Sequence, residues 1–221
     1  MDWTALRLSL LLGALTIIIL MPVAVLIGRW LAVTTIRGRA AIEALVTLPL
    51  VLPPTVIGFY LLVGLGPVSP VGKAWASLFG DTLVFSFQGV LIASIVVNLP
   101  FAIQPTQRAF EAVGVELREA AATCGQPPWR SFWRIELPLA WPGIVTGAVL
   151  AFAHTLGEFG VVLMVGGSIP GQTRTLALSI YDRVQAFDNT SAARMAALLM
   201  MISLVAVSLS LMLSGRKVRR G

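Results

Sequence analysis

Two side chains that could carry chemistry, His154 and Glu158, lie four residues apart in an apolar stretch of the chain. On a helix this spacing places them on one face, where they could face each other. A serine hydrolase would need a serine beside the histidine, but the positions three and four residues away from His154 hold none. Four interpretations stay open: a structural hydrogen-bonded pair, a neutral Glu158 bonded to backbone groups freed near Gly157 and Gly160, a gate or subunit contact, and a proton relay.

Patterns for phosphate binding and for metal binding are missing from the sequence. The nearest approach to a phosphate-binding loop, Gly66 to Ala74, has five residues between Gly66 and Gly72 and lacks the final Ser or Thr. The single cysteine, Cys124, excludes an internal disulfide and a cysteine-based metal cluster. We therefore expect this chain to contain no catalytic residues, no metal site and no cofactor of its own.

The composition indicates a membrane protein. Of the 221 residues, 57% are hydrophobic and 12% are charged, whereas charged residues make up about 25% of a soluble domain. A transmembrane helix needs about 20 apolar residues. Five stretches satisfy this length: Leu8 to Ile27, Ala44 to Leu65, Val84 to Ile103, Leu139 to Val165 and Ala192 to Leu213. Val71 to Phe79 is too short to span and is predicted to be an interfacial helix.

The second predicted span contains prolines near its middle, at Pro49, Pro53 and Pro54. Each proline removes a backbone donor, so this helix must kink or break. The freed backbone groups need neighbouring helices or a cavity to satisfy them.

The distribution of basic residues predicts the orientation in the membrane. Eleven of the 16 Lys and Arg residues fall in three segments on one side, 28–42, 104–138 and the tail at 216–220. The rule that cytoplasmic loops carry the basic excess places the N-terminus outside and the tail in the cytoplasm. The net charge of +6 reflects this topology, so no nucleic-acid partner is expected.

The longest polar interval, residues 104–138, is predicted to contain two short helices. Glu116 to Cys124 is a strong helix former, Gly125 supplies a left-handed stop, and the prolines at 127 and 128 allow a second helix to begin. Trp129, Phe132 and Trp133 have the spacing of a single aromatic face. Such a face either docks into the groove of a partner or packs on the interval's own first helix or on the membrane surface.

Within this interval, which we call the signature loop (104–138), seven positions form a pattern: Glu119-Ala120-Ala121, three residues, Gly125, nine residues, Ile135, one residue, Leu137-Pro138. The pattern resembles the cytoplasmic signature of the permease subunits of ATP-binding-cassette importers. The resemblance implies that the loop contains a coupling helix, which sits in a cleft of a separate ATPase subunit that binds ATP and Mg²⁺. This helix transmits the closure of the ATPase to the membrane helices.

Three further stretches, at 48–58, 156–160 and 169–175, resemble molybdate importer permeases. Sulfate permeases are similar around 157–160 and 169–173, so a tetrahedral oxyanion is implied, with molybdate favoured by the proline run and by 181–185. Tungstate has the same shape and charge. The alternatives are a sulfate or thiosulfate permease and a proton-coupled secondary transporter.

The broken second span and the fourth span also offer residues for a transport path. We expect the path or gate to include Pro53, Pro54, Thr55, His154, Gly157, Glu158 and Gly160. The outer loop contributes Pro170, Gly171, Thr173, Arg174 and Thr175, with Arg174 either receiving the anion, docking a binding protein or lying solvated. Because no Lys or Arg lies at mid-membrane depth, the permease is expected to be a low-affinity conduit served by an extracytoplasmic oxyanion-binding protein.

These observations predict an all-α polytopic protein of the inner membrane, in one domain of residues 1–221. It would have five transmembrane helices and the type I importer permease fold. Five helices enclose little space, so a path on the axis of a homodimer is expected.

Overall fold

The computed structural model describes residues 1–218, with side chains through Met212, and every regular element in that part of the chain is helical. The helices are α1 (Trp3–Val33), α2 (Arg39–Val51), α3 (Pro54–Leu65), α4 (Pro70–Phe79), α5 (Phe87–Glu111), α6 (Val115–Thr123), α7 (Pro128–Ser131), a π-helical segment (Phe132–Glu136), α8 (Leu137–Gly157), α9 (Gly160–Gly166), α10 (Leu176–Gln185) and α11 (Asn189–Val218). The all-α prediction is confirmed.

Three long helices, α1, α5 and α8, pack on one another and form the core. Small residues at their contacts allow the backbones to approach closely. A methyl group added to Gly147 of α8 would lie 2.8 Å from the carbonyl oxygen of Ala102 in α5, and one added to Gly28 of α1 would lie 3.0 Å from the amide nitrogen of Gln107. The remaining helices are arranged around this three-helix core.

Four helices in the described residues are long and apolar enough to cross a membrane, and a fifth crossing is made if the bent pair α2 and α3 counts as one span. The first span is longer than expected, since α1 covers Trp3–Val33. The third begins at Phe87 rather than Val84 and continues eight residues past Ile103, to Glu111. The first residues of the signature loop therefore belong to α5.

Polar side chains explain why α5 continues so far. The Gln104 amide donates to the hydroxyl of Thr47 at 3.1 Å, and the Gln107 amide donates to Glu43 at 2.7 Å. Arg39 bridges Glu43 and Glu111. These bonds attach α2, which buries none of its residues, to the end of α5, so the polar residues of the interval extend a helix instead of forming a loop.

The second span is broken, as the prolines predicted. The axes of α2 and α3 differ by 110°, and the break falls at Leu52 and Pro53. Pro54 is the first residue of α3, a position where a helix needs no amide donor. The segment after this span forms α4, so a helix is also confirmed at the site of the predicted interfacial segment.

The fourth span differs from the expected Leu139 to Val165. Its helix is continuous from Pro128 to Gly157 and then stops. The carboxylate of Glu158 accepts a hydrogen bond from the amide of Val161 at 2.9 Å, and this bond satisfies a donor at the start of α9. The expected single helix is therefore wrong, because Glu158 caps a new one.

The fifth span begins at Asn189, three residues earlier than expected. Asp188 accepts a hydrogen bond from the amide of Ser191 at 3.1 Å, which satisfies a free donor at the helix start. The bonding to Ser191 keeps the pKa of the Asp188 carboxyl below its usual value. The side chains of the basic tail at 216–220 lie outside the described residues.

Candidate functional site

The signature loop turns at Gly125. The amides of Gly125 and Gln126 donate to the carbonyls of Ala122 and Ala121, at 2.9 Å and 3.0 Å. Gly125 has a φ of +73°, in the left-handed region that glycine occupies without a steric penalty. The predicted stop after the first short helix is confirmed, and α7 begins three residues later at Pro128.

The signature residues divide between solvent and the interior. Ala121 is buried, and Ile135 and Leu137 are half-buried where the loop joins α8. The exposed members are Glu119, Ala120, Gly125 and Pro138. The exposed positions of α6 and of the turn are thus accessible to another chain.

The three aromatic residues of the loop do not form a single face. Trp129 and Trp133 are 65% and 55% exposed, whereas the ring of Phe132 stacks on Phe110 of α5 with centroids 6.3 Å apart. The guanidinium of Arg29 lies 5.2 Å from the centroid of the Phe132 ring. The expected aromatic triad is therefore wrong in one member, because Phe132 packs inward and only the two tryptophans are presented outward.

Glu136 is buried near the end of the signature loop, and sequence reasoning missed it. It is 2% exposed and accepts two hydrogen bonds from Arg29, at 3.0 Å and 2.9 Å, and a third from Arg118 at 3.2 Å. The signal in the sequence was an acidic residue within an apolar stretch at the start of a span, but its basic partners lie 107 and 18 residues away.

The loop continues into α8 without a break. The amide of Leu137 donates to the carbonyl of Phe132, the five-residue spacing of a π-helix, a form often found at functional sites. The helix then proceeds through Leu137 into the membrane span. Residues 128–136 and α8 therefore form one continuous helical segment.

The two interrupted helices meet at their breaks. A methyl group on Gly160, at the start of α9, would lie 2.8 Å from Cβ of Pro54, at the start of α3. One on Gly58 would lie 2.7 Å from Cβ of Met164. Two predicted path residues from different spans, Pro54 and Gly160, are thereby brought together. Thr55, next to Pro54, is exposed.

His154 and Glu158 face each other loosely. Nε2 of His154 lies 3.7 Å from Oε2 of Glu158. The imidazole stacks on Phe101 with centroids 4.2 Å apart, and Nδ1 lies 3.2 Å from Oδ1 of Asn98. Glu158 is 8% exposed and caps α9 through Val161. These contacts give His154 and Glu158 a structural role. Gly157 is the last residue of α8, directly before the helix break.

A line of buried polar side chains continues from His154 through the helical core. Asn98 donates to Thr155 at 3.0 Å, Ser94 lies 3.3 Å from Thr155, and Thr16 lies 2.9 Å from Ser94. All four are at most 2% exposed. These groups fasten α1, α5 and α8 together, and their membership could not be read from sequence spacing because they come from three helices.

In the outer loop, Arg174 is bound to its own chain. Its guanidinium lies 3.2 Å from the carboxylate of Asp182 and donates to Ser168. Thr173 is fully buried and donates to the carbonyl of Gly166 at 2.7 Å. Of the predicted outer-loop residues, these two therefore hold the loop's shape.

The other predicted residues of the outer loop differ in exposure. Thr175 caps α10 and is buried, whereas Pro170 and Gly171 are exposed. Among the residues that the structure describes, no group of three or more His, Cys, Asp or Glu is placed to hold a metal ion.

A comparison with protein families matches residues 6–220 to the family described as binding-protein-dependent transport system inner membrane component. The chain belongs to this family. As a member of this permease family it is a transport component, and it is a multi-pass protein of the inner membrane.

Several permeases resemble the chain over most of its length. The molybdenum transport system permease protein ModB of Azotobacter vinelandii is 51% identical over 86% of this chain and 84% of its own length. ModB of Escherichia coli is 38% identical over 96% and 92%. The sulfate transport system permease protein CysT of E. coli is 34% identical over 76% of this chain and 60% of its own.

Solved structures of importers share the fold of this permease. A bacterial ABC transporter involved in the import of the acidic polysaccharide alginate superimposes with a TM-score of 0.77 over 96% of this chain and 78% of that one. The same kind of transporter bound to a pentasaccharide-loaded periplasmic protein gives 0.78 over 99% and 80%. The sequence identity is 19% in both. The predicted ABC importer permease fold is confirmed.

Proposed function

We propose that this chain is the permease subunit of an ATP-driven importer that moves molybdate, or tungstate of the same shape and charge, into the cytoplasm. The observation that carries the proposal is the 51% identity to a molybdenum transport permease across 86% of the chain. The sulfate permease relative is more distant, at 34% identity over 76% of the chain. The permease itself catalyses no reaction, and a separate subunit hydrolyses ATP with Mg²⁺.

The ATPase subunit docks on the solvent-exposed face of the signature loop, on the cytoplasmic side. This face is formed by Glu119, Ala120, the Gly125 turn, Trp129 and Trp133, all of them exposed. Large exposed aromatic side chains are typical anchors at protein interfaces because they bury much area at low entropic cost. A partner that seats the two tryptophans grips the loop directly before its continuous helix into the membrane.

The substrate path runs beside the meeting point of the helix breaks, at Pro54 and Gly160. Thr55 is exposed there, and its hydroxyl can donate weakly to a passing oxyanion. The salt bridge to Asp182 offsets the charge of Arg174, which reduces its attraction for an anion at the outer loop. Weak contacts suit a conduit, since an ion must leave as readily as it enters.

Further subunits complete the importer. An extracytoplasmic oxyanion-binding protein delivers the substrate to the outer loop, where Pro170 and Gly171 are exposed. A second copy of the chain supplies the other half of the path, because α2 buries none of its residues within one chain. The N-terminus lies outside and the basic tail lies in the cytoplasm, as the distribution of Lys and Arg predicts.

Uptake of radiolabelled molybdate into proteoliposomes tests the proposal. The permease is reconstituted with its ATPase, and the binding protein is added outside together with unlabelled sulfate or tungstate as competitor. We expect uptake that requires both ATP and the binding protein, inhibited strongly by tungstate and weakly by sulfate. Equal competition by sulfate would assign the chain to sulfate transport, and uptake by the permease alone under a proton gradient would identify a secondary transporter.

A further inference from the structure

A single buried carboxylate joins four elements of the permease. Glu136, in the π-helical segment, is 2% exposed. Arg29 from the last turns of α1 binds both of its oxygens, at 2.9 Å and 3.0 Å, and Arg118 of α6 binds one of them at 3.2 Å. Such forked arginine contacts fix the relative orientation of the groups as well as their distance.

The same cluster reaches α5 through Arg118 and Phe132. Arg118 donates to the carbonyl of Phe110 at 2.6 Å, near the end of α5. The Phe132 ring contacts both Phe110 and the guanidinium of Arg29. The ends of α1, α5 and α8 and the middle of α6 are therefore tied to this one cluster, and none of the seven signature positions belongs to it.

The ionic contacts of the buried Glu136 fix how the elements of the cluster are placed relative to one another. A carboxylate removed from water is stabilised by its cationic partners only while they keep their geometry. Sliding α6 away from α1 would leave Glu136 with fewer partners in a poorly hydrated site, which is unfavourable. The cluster thus holds α6, which takes no part in the packed core, to the core helices α1, α5 and α8.

We propose that Glu136 is a positioning residue that locks α6 to the ends of α1, α5 and α8 through Arg29 and Arg118, so that a displacement of the signature loop by the ATPase moves α1 together with α8. This inference rests on the proposed function, since it concerns how that importer is driven. It adds α1, which the signature does not contain, to the helices that are driven.

The test is the number of substrate ions imported per ATP hydrolysed in the complete reconstituted complex. We expect Glu136→Gln to lower this ratio at least about tenfold while ATP hydrolysis stays within about twofold, because the ATPase still binds the loop but α6 is no longer tied to α1, α5 and α8. Arg29→Lys keeps the charge and loses the fork, so its ratio should fall to an intermediate value. A merely structural role would lower hydrolysis and uptake in parallel.

Arg37→Gln is the matched control. Arg37 is exposed in the connection between α1 and α2, and this variant should keep the wild-type ratio. A wild-type ratio in Glu136→Gln would overturn the inference, as would a parallel loss of uptake and hydrolysis in Arg29→Lys. Absence of ATP-driven molybdate uptake by the wild-type complex would instead count against the proposed function.

A second variant covers the case in which Glu136→Gln fails to assemble. The triple change Arg29→Met, Glu136→Leu and Arg118→Met replaces the ion cluster by apolar side chains of similar size, an exchange that proteins often tolerate for buried ion pairs. Because the triple variant lacks the forked ionic contacts that fix the orientation of α6, it should assemble and hydrolyse ATP but keep a ratio of imported ions to ATP as low as that expected for Glu136→Gln. An assembled triple variant with the wild-type ratio would contradict the inference.

Discussion

Gly160 packs against Pro54, so the first residues of α9 and α3 touch where both helices are interrupted. A methyl group on Gly160 would lie 2.8 Å from Cβ of Pro54, which is closer than two carbon atoms can pack without a shift. The prolines predicted the break before α3, whereas one continuous helix was expected where α9 begins, and the contact joins segments more than 100 residues apart. This contact is where the proposed path meets the scaffold.

Gly160→Val tests that contact. The added methyl groups must displace Pro54 or α9, and overpacking of this kind costs about 1–3 kcal/mol. We expect a lower thermal unfolding temperature in detergent and reduced molybdate uptake by the reconstituted complex. Gly64→Ala is the control, since a side chain at Gly64 meets nothing within 4 Å. Unchanged unfolding and uptake in Gly160→Val would show that the contact is not tight.

Gly125→Val tests the turn of the signature loop. A β-branched residue at a φ of +73° is strained by about 1–3 kcal/mol. The turn should therefore change, and with it the orientation of α7 relative to α6. We expect ATP hydrolysis to persist while uptake falls. Gly114→Ala, at the start of α6 in an ordinary backbone conformation, is the matched control. Wild-type uptake in Gly125→Val would show that the turn is not needed to couple ATP hydrolysis to uptake.

The division of the loop's aromatic residues predicts two different defects. Trp129→Ala should weaken binding of the ATPase by about 30-fold, corresponding to about 2 kcal/mol for an interface anchor, without altering the unfolding of the isolated permease. Phe132→Ala should instead destabilise the permease by about 2 kcal/mol through lost burial. Co-purification with the ATPase and thermal unfolding separate the two, and matching defects would contradict the inward packing of Phe132.

The capping bond of Glu158 predicts a ranking of two substitutions. Glu158→Ala removes the acceptor for the Val161 amide and should cost about 1 kcal/mol of stability, the usual value for a lost cap. Glu158→Gln retains an oxygen acceptor at the same place and should cost less. Thermal unfolding of the two variants in one detergent gives the comparison. A greater loss in Glu158→Gln would mean that the charge, and its contact with His154, matters more than the cap.

Local signals accounted for the elements that depend on local chemistry. The proline run gave the break between α2 and α3, because proline cannot continue a helix wherever it lies in a fold. Gly125 gave the left-handed turn for a similar reason. Apolar length gave the spans, since the bilayer sets how many residues a crossing needs, although α5 continued past its apolar part through side chains bonded to α2.

Contacts between distant segments were beyond the reach of sequence spacing. Phe132 could not be separated from Trp129 and Trp133 by periodicity, because the π-helical segment alters the helical register and Phe110 fills the space on one side. Glu158 was recognised as unusual, yet its bond to Val161 depends on a helix stop that no proline marks.

The sequence by itself determined that the chain crosses a membrane, that its second span breaks and that its signature loop turns at Gly125, because these depend on transfer from water and on backbone sterics within a few residues. Only the tertiary structure decided that Glu136 meets Arg29 and Arg118. Buried charges find partners through the packing of helices, and those partners come from parts of the chain that no local pattern connects.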